Sequence, residues 1–135
     1  MKKAFFRAGI LVLFVIWMFA GCTSLGVYKT PGGLAQLISS RSEPYILIDV
    51  RTAQEYTSGH IPSAINLPVT TLEQNLPTEN RSALIIVYCQ SGGRSKTGKA
   101  TLQRLGFNRV VDFGSIQNWK GVLVIGDKPS GDMGN

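Results

Sequence analysis

The sequence predicts an α/β fold in which helices cover both faces of a parallel sheet. Two observations predict it. The segments YILIDV (45–50) and ALIIVYC (83–89) are dominated by apolar residues, as parallel strands buried on both faces are. Segments with helical patterning lie between the apolar ones, and alternating strands and helices produce a parallel sheet. The length of 135 residues allows one modest domain.

The elements of the first half follow from local signals. A helix is expected over residues 30–40, because Thr30 can cap it and Pro31 suits the first helical position. The segment before it, residues 23–29, is expected to be a tether or a first edge strand. After the helix we expect a strand at 45–50, a helical turn at 52–59, a strand at 63–69 and a short helix at 70–76.

The second half is organised around its most hydrophobic segment, residues 83–89, which is the best candidate for the central strand. Residues 94–106 are expected to form a helix that Gly106 ends, because small and apolar residues share one of its faces. A last strand is expected at 109–113, followed by a helical turn at 115–121. The polar end of the chain is expected to be loose.

The first 21 residues resemble a bacterial signal peptide. Lys2, Lys3 and Arg7 precede an apolar run that is shorter than the roughly 20 residues needed to span a membrane. The four residues that end at Cys22 resemble the lipobox of bacterial lipoproteins, with Phe19 where leucine is usual. We therefore expect a lipid on Cys22 that anchors the chain to the extracytoplasmic side of a bacterial membrane. An ordinary secretory signal and a permanent membrane span are the alternatives.

The signal-like segment changes what the charge and the cysteine count imply. The formal net charge is +6, but the segment carries three of the positive charges and none of the negative ones. The basic balance is therefore no argument for nucleic-acid binding, and no nucleic-acid partner is expected. Thr23 rather than aspartate follows Cys22, which resembles the signal for sorting to an outer membrane where the host has one. With Cys22 lipidated, Cys89 remains as the one usable thiol, either reactive or buried and inert.

Cys89 is predicted to lie at the carboxyl end of the central strand, where open α/β sheets bind their ligands. The helix that begins near Arg94 directs its amino end back at the thiol, with unpaired N–H groups and a partial positive charge. Gly92 and Gly93 allow successive N–H groups to converge on one point. We expect this loop to lower the pKa of the thiol, and Arg94 to bind an anionic substrate.

Two other kinds of loop are similar to this one. Residues 93–99 match most of a phosphate-binding P-loop, but Ala100 stands where a magnesium-binding hydroxyl is required, so nucleotide binding is disfavoured. Cysteine phosphatases also place a loop between a cysteine and an arginine at a helix start. Their loop is one residue longer than the one between Cys89 and Arg94. The smaller cup suits an added sulfur atom better than a tetrahedral phosphate.

Three ordered motifs resemble those of the rhodanese sulfurtransferases. CQSGGRS (89–95) is similar to the active-site loop of that family, C-x-x-G-x-R-S. DVRTAQEYTSGHIPSAINLP (49–68) resembles its upstream motif, and VVDFGSIQNW (110–119) its downstream motif. The chain departs from the family pattern at Ser63, where glycine is usual, and at Ser115, where a second glycine is usual.

The resemblance implies a rhodanese-like fold, a five-stranded parallel sheet flanked by helices on both faces. The domain would extend over residues 33–126, after a signal peptide at 1–21 and a tether at 22–32, and before a polar tail at 127–135. By the same resemblance, the thiolate of Cys89 takes sulfane sulfur from a donor such as thiosulfate, and cyanide or a thiol collects it in a second step.

The resemblance also assigns roles within the loop. Cys89 is the expected catalytic residue and carries the persulfide. The residues expected to bind the persulfide and the donor are Gln90, Ser91, Gly92, Gly93, Arg94 and Ser95. No metal or organic cofactor is implied.

The remaining motif residues have structural interpretations. Asp49 and Arg51 follow a buried strand and are expected to tie loops together by hydrogen bonds, with Glu55 as a partner of Arg51. His60 is the only histidine, and in this family it belongs to a turn, so we do not expect it to act as a general base. Trp119 is expected to be a core residue rather than a ligand.

Two classes of function stay open from the sequence. The first is a sulfurtransferase with a small sulfur-containing anion as donor and a thiophilic acceptor. The second is a non-catalytic module of the same family that binds a partner or senses redox state at the membrane surface. The intact loop residues Cys89, Gly92, Arg94 and Ser95 favour the enzyme, because a pure binding module does not need them. The sequence names no protein partner.

Overall fold

The computed structural model describes residues 24–128. The predicted signal peptide, Cys22 and most of the polar tail lie outside the described residues. Among residues 24–128, no helix has the length and apolar character needed to cross a membrane. The elements in chain order are a 3₁₀ turn Leu25–Lys29, α1 Pro31–Ser40, β1 Tyr45–Asp49, α2 Ala53–Ser58, β2 Ile65–Asn66, β3 Leu84–Cys89, α3 Gly93–Arg104, β4 Val110–Ser115 and a 3₁₀ turn Ile116–Asn118.

The four strands form one parallel sheet with the order β2-β1-β3-β4. The predicted α/β class and the parallel sheet are confirmed, and β3 is a central strand with all six of its residues buried. The alternation of side chains along β3 separates two apolar layers. Leu34 of α1 packs in the layer that holds Tyr88, while Leu102 of α3 packs in the layer that holds Cys89, so helices lie on both faces.

The expectation of five strands is wrong for the residues that the structure describes, which contribute four to the sheet. The segment before α1, expected to be a tether or an edge strand, instead forms the 3₁₀ turn Leu25–Lys29, which packs beside β4. The carbonyl of Val27 accepts hydrogen bonds from both the N–H and the hydroxyl of Thr30. Local turn bonds therefore occupy backbone groups that a strand would offer to the sheet.

The short helix expected at 70–76 is also absent. The Thr71 N–H donates to the Pro68 carbonyl, and the Gln74 and Asn75 N–H groups share the Thr71 carbonyl, so the segment forms two successive turns rather than a continuous helix. Prolines at 68 and 77 bound the segment, and so short a helix has too few hydrogen bonds to offset its nucleation cost. Its one fully buried residue, Leu72, joins the apolar layer on the side of α3.

Helix starts follow the sequence signals closely. The Thr30 hydroxyl accepts from the Gly33 N–H at 3.1 Å and caps α1, with Pro31 at the first helical position. At α2, Thr52 and Glu55 form a reciprocal capping box, in which each side chain accepts from the backbone N–H of the other residue. This box fixes the Glu55 carboxylate at the amino end of α2, which faces the carboxyl edge of the sheet.

Candidate active site

Cys89 is the last residue of β3 and the only free cysteine among the described residues. The chain turns from β3 into α3 within three residues, and Gly92 makes this possible because its φ of 102° lies in the left-handed region that favours glycine. The Cys89 residue is 0% exposed. The structure therefore places the thiol as predicted, at the carboxyl edge of the sheet and under the amino end of a helix.

The loop surrounds the thiol with hydrogen-bond donors. The Gly92 N–H donates to Sγ at 3.0 Å. Burial by itself raises the pKa of the Cys89 thiol, but hydrogen bonds from the Ser95 N–H and hydroxyl and from the Gly92 and Ser91 N–H groups outweigh it and lower the pKa below its usual range. The arrangement stabilises a negative charge on sulfur at the end of β3.

Ser95 is buried although it is polar, and its hydroxyl has one proton to donate. In the structure this hydroxyl donates to the Gly92 carbonyl at 3.0 Å. Because the hydroxyl cannot donate to the carbonyl and the sulfur at once with full strength, we rank the backbone N–H groups as the steadier stabilisers of the thiolate. Ser95 connects the loop to the first turn of α3 in either orientation.

Arg94 is paired rather than free. Its two terminal nitrogens donate to the two carboxylate oxygens of Glu55 at 2.7 and 2.8 Å, while Glu55 also accepts from the Thr52 N–H. The Arg94 guanidinium is the main cause that holds the pKa of Glu55 at about 2, and Glu55 in turn raises the pKa of Arg94. Both side chains are about one third exposed at the mouth of the loop.

The expectation that Glu55 pairs with Arg51 is wrong. The capping box points Glu55 toward the start of α3, whereas Arg51 is buried beside Asp49. Asp49 receives hydrogen bonds from Nε and Nη2 of Arg51, the latter at 2.6 Å. Burial by itself lowers the pKa of Arg51, but the hydrogen bonds and charge of Asp49 outweigh it and raise the pKa.

Arg51 ties three segments together. Its Nη2 donates to the Gly59 carbonyl at 2.6 Å, after α2, and its Nη1 donates to the Gln90 side chain at 3.2 Å, in the loop after Cys89. The buried Asp49–Arg51 pair therefore holds one wall of the site in place. Removing Asp49 alone would leave a buried cation without its partner, which is strongly destabilising.

His60 lies in the core beside α2. Its ring stacks on Tyr56 with 3.8 Å between centroids, and its Nδ1 is 3.0 Å from the Tyr56 carbonyl. Its Nε2 is buried without a hydrogen-bond partner among the described residues, and no hydrogen bond there links the ring to Cys89. These contacts are those of a packed turn residue.

A cleft of about 400 Å³ opens beside the Cys89 loop. Gln90, Arg51 and Glu55 line one part of it, and Trp119 and Leu123 line another. Trp119 packs against the core and also faces the cleft, so its predicted core role describes only part of its position. Sequence reasoning missed Leu123, although the run of four apolar residues around it, close to a polar chain end, was a visible signal.

A larger hollow of about 620 Å³ lies at the amino end of β1, around Tyr45 and Ser63. It is at the opposite edge of the sheet from Cys89, because β1 and β3 are parallel and in register. No cluster of three or more histidine, cysteine, aspartate or glutamate side chains suited to a metal ion occurs within residues 24–128.

Comparison with known proteins identifies similar chains. Residues 30–121 match the family described as Rhodanese-like domain. A protein of Allochromatium vinosum named sulfurtransferase is 33% identical over 79 residues, which cover 58% of this chain and 74% of that protein. The thiosulfate sulfurtransferase PspE of Escherichia coli is 29% identical over 73 residues, which cover 53% of this chain and 70% of that protein.

A solved structure supports the same relation. The crystal structure of a rhodanese-like domain protein from Staphylococcus aureus has a TM-score of 0.62 and 30% identity, and the match covers 71% of this chain and 94% of that one. Other curated relatives are much longer, and the chain spans 41% of one of them and 23% of another.

Proposed function

Because the chain belongs to the rhodanese-like domain family, we propose that it is a sulfurtransferase that carries sulfane sulfur as a persulfide on Cys89. The observation that carries this proposal is the position of the Cys89 sulfur at the start of α3, with the Gly92 N–H 3.0 Å away and the pKa of the thiol lowered. Sulfurtransferases among the relatives support the same reaction class.

The first half-reaction uses the thiolate as a nucleophile, with thiosulfate as the proposed donor. The Cys89 thiolate attacks the outer sulfur of thiosulfate and forms a new S–S bond. The S–S bond of thiosulfate breaks, its electron pair leaves with sulfite, and Cys89 keeps the transferred sulfur as an anionic persulfide. We expect the loop N–H groups that stabilise the thiolate to stabilise this second anion as well.

The second half-reaction returns the enzyme to its starting state. A nucleophile such as cyanide or a thiolate attacks the outer sulfur of the persulfide. The S–S bond to Cys89 breaks and its electron pair regenerates the thiolate, so no external oxidant or reductant is consumed. Two successive transfers through one covalent intermediate predict ping-pong kinetics.

Sulfur transfer is preferred over phosphate transfer because the loop is short. Four residues separate Cys89 from Arg94, and donors crowd the sulfur itself, as the Gly92 N–H contact illustrates. We expect activity with thiosulfate and cyanide and only background activity with aryl phosphates. Inserting one glycine between Gly92 and Gly93 should enlarge the cup and weaken sulfur transfer. Robust phosphatase activity in the unaltered protein would contradict this proposal.

A non-catalytic role in partner binding or redox sensing is the second candidate, and the full burial of Cys89 favours it. One experiment separates the two roles. The protein is treated with thiosulfate, freed of excess reagent and weighed as an intact chain. The enzyme should gain the mass of one sulfur atom and lose it on addition of cyanide, and a Cys89→Ser variant should gain nothing. A protein that stays at its original mass would exclude the proposed carrier role.

We propose further that Cys22 carries a lipid that holds the domain at the extracytoplasmic side of a bacterial membrane. The support is the resemblance of residues 19–22 to a lipobox and the short apolar run before them. Labelled fatty acid should enter the wild-type chain and not a Cys22→Ser variant. Incorporation of label into the variant at the wild-type level would exclude this assignment.

A further inference from the structure

Residues 122–125, here called the 122–125 segment, are four consecutive apolar residues, and three of them expose their side chains at the surface. Val122 is 86% exposed, Ile125 is 73% exposed and Leu123 is 39% exposed. Among large apolar side chains exposed within residues 24–128, only Val27 lies elsewhere. A contiguous apolar patch of this kind marks a binding surface more often than isolated exposed residues do.

The backbone of the 122–125 segment has one edge that is already paired. Val124 and His60 exchange two hydrogen bonds of 2.9 Å, as directly opposed residues of an antiparallel pair do. The Val122 carbonyl accepts from the indole N–H of Trp119 at 3.2 Å. The even-numbered residues of the segment therefore direct their backbone groups toward the domain.

Leu123 and Ile125 form the other edge, which is open. Their N–H and C=O groups have no hydrogen-bond partner among residues 24–128. In extended chain, alternate residues direct these groups to opposite sides, so those of Leu123 and Ile125 point away from His60. A Cβ built on Gly59 would lie 3.3 Å from Leu123 and 3.6 Å from Ile125, so these two side chains lie together on one face.

The open edge begins at the mouth of the candidate active site. Leu123 lines the same cleft as Gln90, which follows Cys89 directly. The cleft of about 400 Å³ is much larger than cyanide or thiosulfate requires. An acceptor that fills the cleft must therefore have further groups besides its reacting atom that contact the cleft walls.

We propose that the 122–125 segment docks the sulfur acceptor, and that this acceptor is a cysteine in an extended apolar stretch of a polypeptide. The acceptor backbone pairs with the open edge of Leu123 and Ile125, as in strand addition to an exposed edge. Its thiolate then attacks the outer sulfur of the Cys89 persulfide. The S–S bond to Cys89 breaks, the electron pair stays on Cys89 as thiolate, and the acceptor leaves as a persulfide. This inference rests on the proposed sulfur transfer.

The open backbone edge is what selects a polypeptide over a membrane surface. The apolar side chains alone would suit either one. Lipid offers no partner to the N–H and C=O groups of Leu123 and Ile125, and burying them unpaired would oppose insertion. An extended peptide supplies both an apolar contact and the missing hydrogen bonds.

The test compares two acceptors on the full chain. The Cys89 persulfide is formed with thiosulfate, and its discharge is followed by intact mass. One acceptor is a blocked five-residue peptide with a central cysteine, a threonine on each side of it and a valine at each end. The other is blocked cysteine alone. We expect the peptide to react about tenfold faster at equal low concentration, since strand pairing and two apolar side chains add to its affinity.

The variants keep the backbone preference for extended chain and remove only apolar contact. A Val122→Thr, Ile125→Thr double variant should lose most of the peptide's advantage, whereas Val27→Thr, at the other exposed apolar site, should keep it. In two further peptides, alternate backbone N–H groups are methylated, the odd-numbered set in one and the even-numbered set in the other. The peptide whose methyl groups face the open edge should lose the advantage over blocked cysteine. Discharge by cyanide should be the same in all these proteins.

A binding measurement separates failure of this inference from failure of the proposed function. The same peptide with serine in place of cysteine is titrated into the protein, as a Trp17→Phe variant where residues 1–21 are retained, so that Trp119 is the only tryptophan. A change in Trp119 emission that the double variant abolishes supports docking even where no sulfur is transferred.

The proposal is overturned when the peptide is no better than blocked cysteine, or when the double variant keeps the advantage. It is equally overturned when the double variant loses only self-association or binding to phosphatidylglycerol vesicles, since the segment then covers a second copy or a membrane.

Discussion

At the scale of single residues, the pairing of Arg94 with Glu55 decides how much charge the Cys89 loop presents to an anion. Two guanidinium nitrogens are directed at the carboxylate, and the capping box at Thr52 holds the carboxylate in place. The proposed dianionic donor would meet a cation whose charge is already partly compensated. We therefore expect the two side chains to set donor affinity jointly.

Replacing Arg94 by alanine should raise the pKa of Cys89 and the thiosulfate KM. The substitution removes the cation and leaves Glu55 uncompensated at the mouth of the loop. A lost charge-assisted hydrogen bond predicts a fall of about ten- to a hundredfold in kcat/KM. Arg94→Lys should retain more kcat/KM than Arg94→Ala but less than wild type, because the ammonium is a point charge and lacks the planar, forked donors of a guanidinium. The measurement is the pH profile of Cys89 alkylation together with steady-state kinetics. If the pKa of Cys89 and the thiosulfate KM are unchanged in Arg94→Ala, Arg94 is not part of the site.

Replacing Glu55 by glutamine should change the thiosulfate KM and the pKa of Cys89 in the opposite direction. Glutamine preserves the capping box but removes the negative charge, so Arg94 is released toward the donor. We expect thiosulfate KM to fall by up to about fivefold and the pKa of Cys89 to fall further. Glu73→Gln is the matched control, since Glu73 forms the same two-contact pair with Arg104 at the far end of α3. Equal effects of both substitutions would point to net charge alone.

Replacing His60 by asparagine should affect stability and not sulfur transfer. The variant loses the stack on Tyr56 and the contact of Nδ1 with the Tyr56 carbonyl, together worth about 2 kcal/mol. We expect this loss in urea unfolding and kcat within about twofold of wild type. A hundredfold fall in kcat in a variant of normal stability would instead give His60 a catalytic role.

At the scale of elements, the 3₁₀ turn Leu25–Lys29 takes the place of the tether or edge strand that was expected before α1. Tyr28 is buried and its hydroxyl donates to Glu43 at 2.5 Å, while Glu43 also pairs with Arg109 just before β4. The 3₁₀ turn lies so close to α1 that the first turn of the helix has no room for a side chain at Gly33. The turn is thus a packed part of the domain.

Two adjacent glycines of α1 test this packing. A Cβ on Gly33 would lie 2.1 Å from the Val27 carbonyl oxygen, whereas one on Gly32 meets nothing within 4 Å. Gly33→Ala should therefore destabilise the domain by about 2 kcal/mol, because backbone must move. Gly32→Ala should be neutral or stabilise it by about 0.5 kcal/mol. Urea unfolding measures both, and equal stabilities would mean that the turn is not packed on α1.

At the scale of the whole molecule, carboxylates link segments that are distant in sequence. Glu43 connects the 3₁₀ turn to the start of β4, Glu55 connects α2 to α3, and Glu73 connects the 70–76 segment to the end of α3. The partners of these groups lower the pKa of each of them. The folded domain therefore binds fewer protons than the unfolded chain in mildly acid solution.

Stability should consequently fall as the pH falls. A group with a depressed folded pKa contributes stability above its unfolded pKa and loses it as the pH drops toward the folded value. For Glu55 this window runs from about 4.5 down to about 2. Glu55→Gln should reduce the fall in the free energy of unfolding across this range by about 1 kcal/mol. The amount is small because the Glu55–Arg94 pair is partly exposed. Urea unfolding across this range measures it. An identical decline in the variant would exclude a contribution from Glu55.

The sequence by itself determined the features that depend on local pattern. Apolar runs identified β1 and β3, the Thr30-Pro31 pair identified the start of α1, and the order of Cys89, the glycines and Arg94 identified the strand-to-helix loop. Each of these follows from interactions within a few residues. Hydrophobic periodicity, capping and glycine conformations are all readable at that range.

The tertiary structure decided the pairings between distant segments. Arg94 and Glu55 are 39 residues apart, and from the sequence we expected Arg51, not Arg94, to be the partner of Glu55. The segment at Tyr28 forms a 3₁₀ turn rather than a tether or an edge strand, and the 122–125 segment became an open edge only because Val124 pairs with His60. Such outcomes depend on strand register and on which loops the sheet brings to one edge. Those properties arise from packing of the whole chain, because no short stretch specifies its own distant neighbour.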